Sequence, residues 1–116
     1  MNFLESKESD FPEAVNAIIT NPPFNREAEK FIRHGLGFLR SGRIEFMAML
    51  LPIDFDSGKT RKDMFGNCLF FAGKGVLTSR IIFIEGPNAS PTTNHAWYVW
   101  DATNKTPPLI RYLDKP

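Results

Sequence analysis

The feature that most constrains this chain is an apolar run that ends abruptly at two consecutive prolines. Residues 14–20, Ala-Val-Asn-Ala-Ile-Ile-Thr, have the apolar and partly β-branched character of a buried strand. Pro22 and Pro23 stop that strand, because each proline fixes its own φ, removes a backbone donor and restricts the preceding residue. The sequence therefore predicts a stiff loop, Asn21-Pro22-Pro23-Phe24, at the carboxyl end of a strand, where open α/β sheets place ligand chemistry.

Helix and strand signals alternate along the rest of the chain. Asn25 caps a predicted helix whose apolar residues recur every 3.6 positions and which stops at Ser41-Gly42. Arg43 to Leu51 is the second predicted strand, and its nearly continuous apolar end is typical of burial on both faces of a parallel sheet. A second helix is predicted near Thr60 to Phe71, and Gly73-Lys74-Gly75 ends it. Its apolar side consists of Met64, Phe65, Cys68, Leu69 and Ala72. Two further strands are predicted over Leu77 to Glu85 and His95 to Trp100.

The order β-α-β-α-β-β predicts a single α/β domain whose sheet is parallel at first and closes with an antiparallel C-terminal hairpin. An N-terminal arm over residues 1–12 precedes a body over 13–101. A tail over 102–116 follows, in which Leu109 to Leu113 has the composition of a short edge strand. In the body, Trp97, Tyr98 and Trp100 are interpreted as alternating strand packing.

Composition excludes several partners and compartments. The net charge of +1 provides no bulk attraction to nucleic acid, and no apolar run approaches the roughly 18 residues of a membrane span, so we expect no membrane partner. The single cysteine, Cys68, cannot form an internal disulfide and is interpreted as a core residue of a cytoplasmic protein. His34 and His95 lack the spacing of metal ligands, so no metal site is predicted.

The Asn-Pro-Pro-Phe sequence resembles motif IV of the S-adenosylmethionine-dependent amino-methyltransferases, in which Asp or Asn precedes two prolines and an aromatic residue. Leu50-Leu51-Pro52 is similar to the family's following strand. Trp97-Tyr98-Val99-Trp100-Asp101 and Ile110-Arg111-Tyr112-Leu113 are similar to the tail of its adenine-specific DNA methyltransferase branch, often found in phage. The resemblance covers roughly residues 14–113. Protein-glutamine and ribosomal-RNA guanine methyltransferases carry close versions of the motif, so DNA, RNA and protein remain open as substrates.

The resemblance implies a role for each residue of the motif. The Asn21 side-chain oxygen and the Pro22 carbonyl accept the two protons of a planar amino group, which orients it and lets positive charge develop as it attacks a sulfonium methyl. Phe24 stacks on a base that has been flipped out of its helix, so we expect its ring to be solvent-accessible. Pro23 helps to hold these groups in place before the substrate arrives. An ordinary strand-terminating turn is the alternative interpretation.

Lys59, Arg61 and Lys62 form the local basic cluster of the sequence. They follow a predicted strand end on the same side of the sheet as Phe24, where a phosphate contact is one interpretation. A solvated helix start is the other.

The family's cofactor-binding half has no counterpart in this sequence. That half holds S-adenosylmethionine with a Gly-rich turn after its first strand and an acidic residue at the end of its second. Here Gly35-Leu36-Gly37 lies inside a helical pattern, and Gly73-Lys74-Gly75 leads in the wrong direction for a strand-turn-helix loop. The resemblance therefore implies a partial, Rossmann-like methyltransferase sheet over residues 13–101, which binds no S-adenosylmethionine alone.

Two classes of function follow. The first is the catalytic-motif half of an adenine-specific DNA methyltransferase, inactive alone and completed by a cofactor half from another chain or a longer parent. The second is a truncated, non-catalytic phage-derived remnant that acts as a nucleic-acid-binding or protein-interaction module. In both, the edge of the first strand, Val15 to Thr20, needs a cover, because unpaired strand edges promote association. We expect a homodimer through this edge; the alternative cover is the arm, through Phe3, Leu4 and Phe11.

Overall fold

The computed structural model describes residues 3–7, 15–22, 26–78 and 94–113. They form an α/β fold with a five-stranded mixed sheet in the order β1-β2-β4-β3-β5. The strands are β1 (Ala17–Thr20), β2 (Phe46–Pro52), β3 (Phe71–Leu77), β4 (His95–Asp101) and β5 (Leu109–Leu113), and α1 (Arg26–Ser41) is the long helix. Short 3-10 segments cover Phe3–Glu5, Phe55–Ser57 and Lys59–Met64. No helix within these ranges has the length and apolar character needed to cross a membrane.

The first half of the fold confirms the predicted β-α-β unit. β1 and β2 pair in parallel, with Ala17 opposite Phe46 and Thr20 opposite Met49. The connection runs through α1, which ends at Ser41 because Gly42 adopts a φ of 82°, a left-handed conformation that favours glycine. Arg43 holds the segment that leads into β1, since its Nη1 donates to the Val15 carbonyl oxygen at 2.5 Å.

The predicted second helix, Thr60 to Phe71, is wrong. A 3-10 segment ends at Met64, turns follow, and β3 begins at Phe71. The assumed helical face is not maintained, because Met64 and Phe65 are buried whereas Leu69 is 87% exposed. Burial of the Phe65 ring against Phe71 and Trp100, with centroids 5.1 and 5.5 Å apart, favours a compact turn over a regular helix.

The prediction that Gly73-Lys74-Gly75 ends that helix is also wrong, because these three residues lie inside β3. The reason is close approach between strands. A Cβ on Gly73 would collide with the carbonyl oxygen of Leu109, and one on Gly75 would lie 2.8 Å from Leu113 Cδ1. Glycine at both positions therefore lets β5 lie against β3.

The C-terminal strands agree with the predictions in outline. β4 runs antiparallel to both β2 and β3, and β5 forms the predicted edge strand, parallel to β3. The centre of the predicted third strand, Ile81 to Ile84, lies outside the described residues, and Leu77 belongs to β3. Alternation along β4 is confirmed: Tyr98 and Trp100 are fully buried, while Trp97 is partly exposed on the other face.

The described part of the N-terminal arm packs on α1. The Phe3 ring lies 5.2 Å from the Phe31 ring and 5.1 Å from His34, centroid to centroid. Ser6 is buried, its Oγ donates to the Phe3 carbonyl oxygen at 2.5 Å, and its carbonyl oxygen lies 3.0 Å from His34 Nε2. Phe11, the other aromatic residue expected to cover the β1 edge, lies outside the described residues.

Two glycines in α1 provide a matched test of helix-to-sheet packing. A Cβ on Gly35 would collide with Met47 Sδ in the core, whereas nothing lies within 4 Å of a Cβ on Gly37. Both alanine variants gain the same helix propensity, so their difference isolates the collision. We expect Gly35→Ala to be about 1–2 kcal/mol less stable than Gly37→Ala in urea unfolding. Equal stabilities would show that Met47 moves aside without cost.

Candidate functional site

The carboxyl ends of β1, β2, β3 and β5 share one edge of the sheet, because these strands are mutually parallel. Asn21 and Pro22 follow β1 directly at this edge. Asn21 is exposed, whereas Pro22 is fully buried and anchors the start of the loop. Residues 23–25 lie outside the described residues, so Pro23 and the predicted exposure of Phe24 stay predictions. α1 begins immediately afterwards, at Arg26.

The neighbouring strand end, after β2, is tied down by two side chains. The Tyr98 hydroxyl lies 2.9 Å from the carbonyl oxygens of Pro52 and Ile53 and donates to them. Lys74 Nζ donates to the Ile53 carbonyl oxygen at 2.5 Å and to Asp56 Oδ1 at 3.0 Å. Burial, and then the charge of Asp56, raise the pKa of Tyr98 well above its ordinary value, so the hydroxyl remains a donor. The turn after β2 is thus fixed beside the loop that begins at Asn21.

Sequence reasoning missed both Lys74 and Tyr98. Lys74 lay in a Gly-Lys-Gly segment interpreted as a helix end, and Tyr98 was interpreted as strand packing only. No local signal distinguishes them, because their partners at 52–56 are separated from them by 18 to 46 positions.

The predicted basic cluster divides into two kinds of residue. Arg61 is used internally: its Nη1 donates to the Phe55 carbonyl oxygen at 2.9 Å and its guanidinium lies 3.9 Å from the centroid of the Phe55 ring. Lys59 and Lys62 are exposed on the same 3-10 segment.

This 3-10 segment is attached to the first half of α1, the helix that follows the Asn21-Pro22-Pro23-Phe24 loop in the sequence. Arg33 donates to Asp63 at 2.6 Å and to Glu29 at 3.0 Å. The hydrogen bond from Arg33 also holds the pKa of the Asp63 carboxyl below its ordinary value. Arg61 Nε lies 3.8 Å from Glu29 Oε2. The structure therefore places the basic segment next to the helix that follows Asn21-Pro22-Pro23-Phe24.

In the family that the sequence resembles, S-adenosylmethionine is held by a Gly-rich loop between a strand and a helix. None of the four glycines singled out from the sequence lies in such a loop, because Gly35 and Gly37 lie within α1 and Gly73 and Gly75 lie within β3. Three of these four glycines pack against Met47, Leu109 or Leu113. Within the same ranges, no three His, Cys, Asp or Glu side chains are grouped as metal ligands would be.

The comparisons with models of known protein families and with curated proteins found no match to this chain. The functional interpretation therefore depends on its own residues. Of the predicted site residues, Asn21 and Pro22 lie at the carboxyl edge of the sheet, and Lys59, Arg61 and Lys62 lie on the segment that packs beside α1.

Proposed function

We propose that this chain is the substrate-positioning half of an adenine-specific, S-adenosylmethionine-dependent DNA methyltransferase-like protein. The position of Asn21 is the observation that supports this function best. Its side chain is exposed at the carboxyl end of β1, in a parallel β1-α1-β2 unit, and a buried proline follows it directly. An exposed amide on an anchored backbone is suited to holding a ligand in one orientation.

The chemistry of the loop suits an amino group attached to an aromatic ring. Such a group has two protons, and the Asn21 side-chain oxygen and the Pro22 carbonyl oxygen supply two acceptors. Burial of the Pro22 ring keeps the second acceptor in a fixed position. Phe24 stacks on the extrahelical adenine, and Lys59 and Lys62 contact DNA phosphates. Arg61 supports the segment through Phe55 and adds positive charge nearby.

The cofactor belongs to a partner in this proposal. The glycines singled out from the sequence lie inside α1 and β3 and not in a strand-turn-helix loop, which supports a chain that positions the amino group and, alone, transfers no methyl group. The Rossmann-like interpretation of the sheet is part of the same proposal and draws support from the parallel β1-α1-β2 unit followed by an antiparallel strand. The use of the glycines for packing favours a second candidate function, a non-catalytic nucleic-acid-binding or interaction module.

The exposed edge of β1 suggests how an isolated chain associates. In the described residues β1 pairs only with β2, and Ile19 is 67% exposed. An unpaired edge without Lys or Pro inside the strand promotes pairing with another chain. In isolation, the chain is proposed to form a two-fold homodimer through this edge.

The test titrates the chain alone with two ligands. A duplex with one unpaired adenine is expected to bind about tenfold more tightly than one with an unpaired thymine, because thymine offers no amino group to the two acceptors. Calorimetric titration with S-adenosylmethionine is expected to show no micromolar binding. Equal affinity for the two duplexes contradicts recognition of the amino group, and micromolar cofactor binding contradicts the division into two halves.

A further inference from the structure

A row of five residues, one from each strand, crosses the sheet on the face opposite α1. Residues paired across neighbouring strands point their side chains to the same face. The strand register joins the row in the order Ile19, Ala48, Val99, Gly73 and Leu109. Ala48 alternates along β2 with Met47 and Met49, which are buried with the core residues of α1. The row therefore lies on the face of the sheet that does not contact α1.

This row forms a trough, because its middle residues are small and its end residues are large. Ile19 at one end is 67% exposed and Leu109 at the other is 57% exposed. Gly73 in the middle has no side chain, and neither does Gly75, the next residue of β3 that faces this side. Trp97 lies beside Gly75 on β4 and forms part of the wall. Together these residues enclose an apolar hollow of about 440 Å³.

The hollow is long and narrow. Its lining extends from Ile19 on β1 to Leu109 on β5, and five strands spaced about 4.8 Å apart span about 19 Å. Spread over that length, the volume leaves a cross-section of about 20–25 Å², close to that of one extended hydrocarbon chain. The volume also lies within the range of small-molecule sites, roughly 300–1,000 Å³. The shape therefore fits a linear apolar chain better than a fused ring system.

One charged side chain marks the β5 end of the hollow. Arg111 follows Leu109 by two residues on the same face, and it is exposed. Lys74 contributes only backbone to the lining, because its Nζ lies on the other face, over the Tyr98 ring and paired with Asp56. Among the described residues, no Asp or Glu lines the hollow or forms an ion pair with Arg111. A guanidinium in this setting is complementary to a carboxylate, which it can bind through two parallel hydrogen bonds.

We propose that the hollow binds a linear aliphatic monocarboxylate, with the carboxylate on Arg111 and the hydrocarbon chain along the trough toward Ile19. The single positive charge at one end of an otherwise apolar lining matches a ligand with one negative charge at one end of an apolar chain. Each methylene that is fully buried raises the affinity by up to about fourfold. This site uses none of the motif residues, so it goes beyond the proposed function and does not depend on it.

Trp97 provides a built-in reporter of binding. The chain has two tryptophans; Trp100 is fully buried in the core, whereas Trp97 is partly exposed on the wall of the hollow. The probe is dodecanoate, and the control is dodecyltrimethylammonium, which has the same chain and the opposite charge, each used below its micelle-forming concentration. Dodecanoate is expected to shift the emission to shorter wavelength, and Trp97→Phe is expected to remove the shift.

Calorimetric titration of the full chain measures the affinities. One dodecanoate per chain is expected to bind, about tenfold or more tightly than dodecyltrimethylammonium, because only the carboxylate is attracted to Arg111. Octanoate is expected to bind about tenfold or more weakly than dodecanoate, because it buries four fewer methylenes.

Substitutions locate the bound chain. Arg111→Glu is expected to weaken dodecanoate about tenfold and to strengthen dodecyltrimethylammonium. Arg40→Glu is its control, because Arg40 is exposed at the end of α1, on the other side of the sheet. Val99→Phe places a ring on the floor of the trough and is expected to weaken dodecanoate about tenfold or more. Its control is Ile110→Phe, because Ile110 is 63% exposed and pairs with Lys74, so that its side chain points to the other face.

Thermal melting verifies that each variant is folded. The comparison of the two amphiphiles on the wild-type chain decides the question even where a variant does not fold. Four results overturn the inference: equal affinity for dodecanoate and dodecyltrimethylammonium, absence of saturable binding, protection of Trp97 from acrylamide in the free monomer, and protection of Trp97 only in a dimer. The third result shows that the chain covers its own hollow, and the fourth assigns the hollow to a second copy.

Discussion

Under the proposed function, Asn21→Ala is expected to lower methylation of an adenine amino group by about a hundredfold or more when the chain is assayed together with a cofactor-binding half. In that function the substitution removes one of the two acceptors for the amino protons, and an acceptor that acts as charge develops affects the rate more than binding. Asn21 is exposed, so the fold is expected to persist. The affinity for S-adenosylmethionine should stay within about twofold, because the proposed function assigns that cofactor to the other half.

The chain offers a matched control for this substitution. Asn16 is also exposed, but it precedes β1 and lies at the opposite edge of the sheet. Its structural contribution is through its backbone carbonyl, which accepts from the Glu45 N–H at 2.8 Å and is kept in Asn16→Ala. Rates are measured by transfer of a labelled methyl group. A rate for Asn21→Ala equal to that of Asn16→Ala removes Asn21 from the reaction.

Tyr98→Phe is expected to remove a loss of stability that the wild-type protein shows in alkali. The folded protein keeps the Tyr98 proton above pH 10.0, the ordinary value of a tyrosine pKa, because burial and the Asp56 charge raise the pKa of this hydroxyl. The unfolded chain releases the proton there. The folded state therefore binds one more proton, and the free energy of unfolding falls by up to about 1.4 kcal/mol per pH unit as pH rises toward the folded pKa. Below pH 10.0 this contribution is fully present.

Urea unfolding over roughly pH 9 to 12 measures this slope. Tyr98→Phe is expected to be about 1–3 kcal/mol less stable at neutral pH, because the carbonyl oxygens at the end of β2 lose a donor, and to lack the tyrosine component of the alkaline slope. Tyr112→Phe is the control, since Tyr112 is 71% exposed on β5. Lys74 and Asp56 are unchanged in both variants, so the difference between the two slopes isolates Tyr98. Identical slopes would show that the hydroxyl is not buried as described.

The Tyr98 contacts bear on the proposed function because they lie beside the loop that begins at Asn21. The loop that begins at Asn21 is anchored by Pro22, and the adjacent turn after β2 is held by Tyr98 and Lys74. Two neighbouring strand ends are thus fixed by contacts within the chain itself. We expect this rigidity to orient a substrate amino group at small entropic cost.

Local pattern alone determined the elements whose signals are contained in a few consecutive residues. The sequence predicted five of the elements, namely β1, α1, β2, β4 and β5. Each is marked by its own apolar pattern, and Pro22 and Gly42 mark where β1 and α1 stop, so no distant residue is needed to recognise them. The same reasoning located Asn21 at a strand end. It identified a basic segment at 59–62, but it did not distinguish Arg61, which is held by Phe55, from the exposed Lys59 and Lys62.

Tertiary structure decided what depends on partners distant in sequence. Residues 60–71 have enough apolar positions for a helix, but the Phe65 ring packs on Phe71 and Trp100, and those contacts outweigh helix propensity. Gly73 and Gly75 appear locally as breakers, and only the approach of Leu109 and Leu113 makes them strand residues. The insertion of β4 between β2 and β3 arises from pairings between strands far apart in the chain. Such pairings are set by burial of whole faces, which no short window of sequence contains.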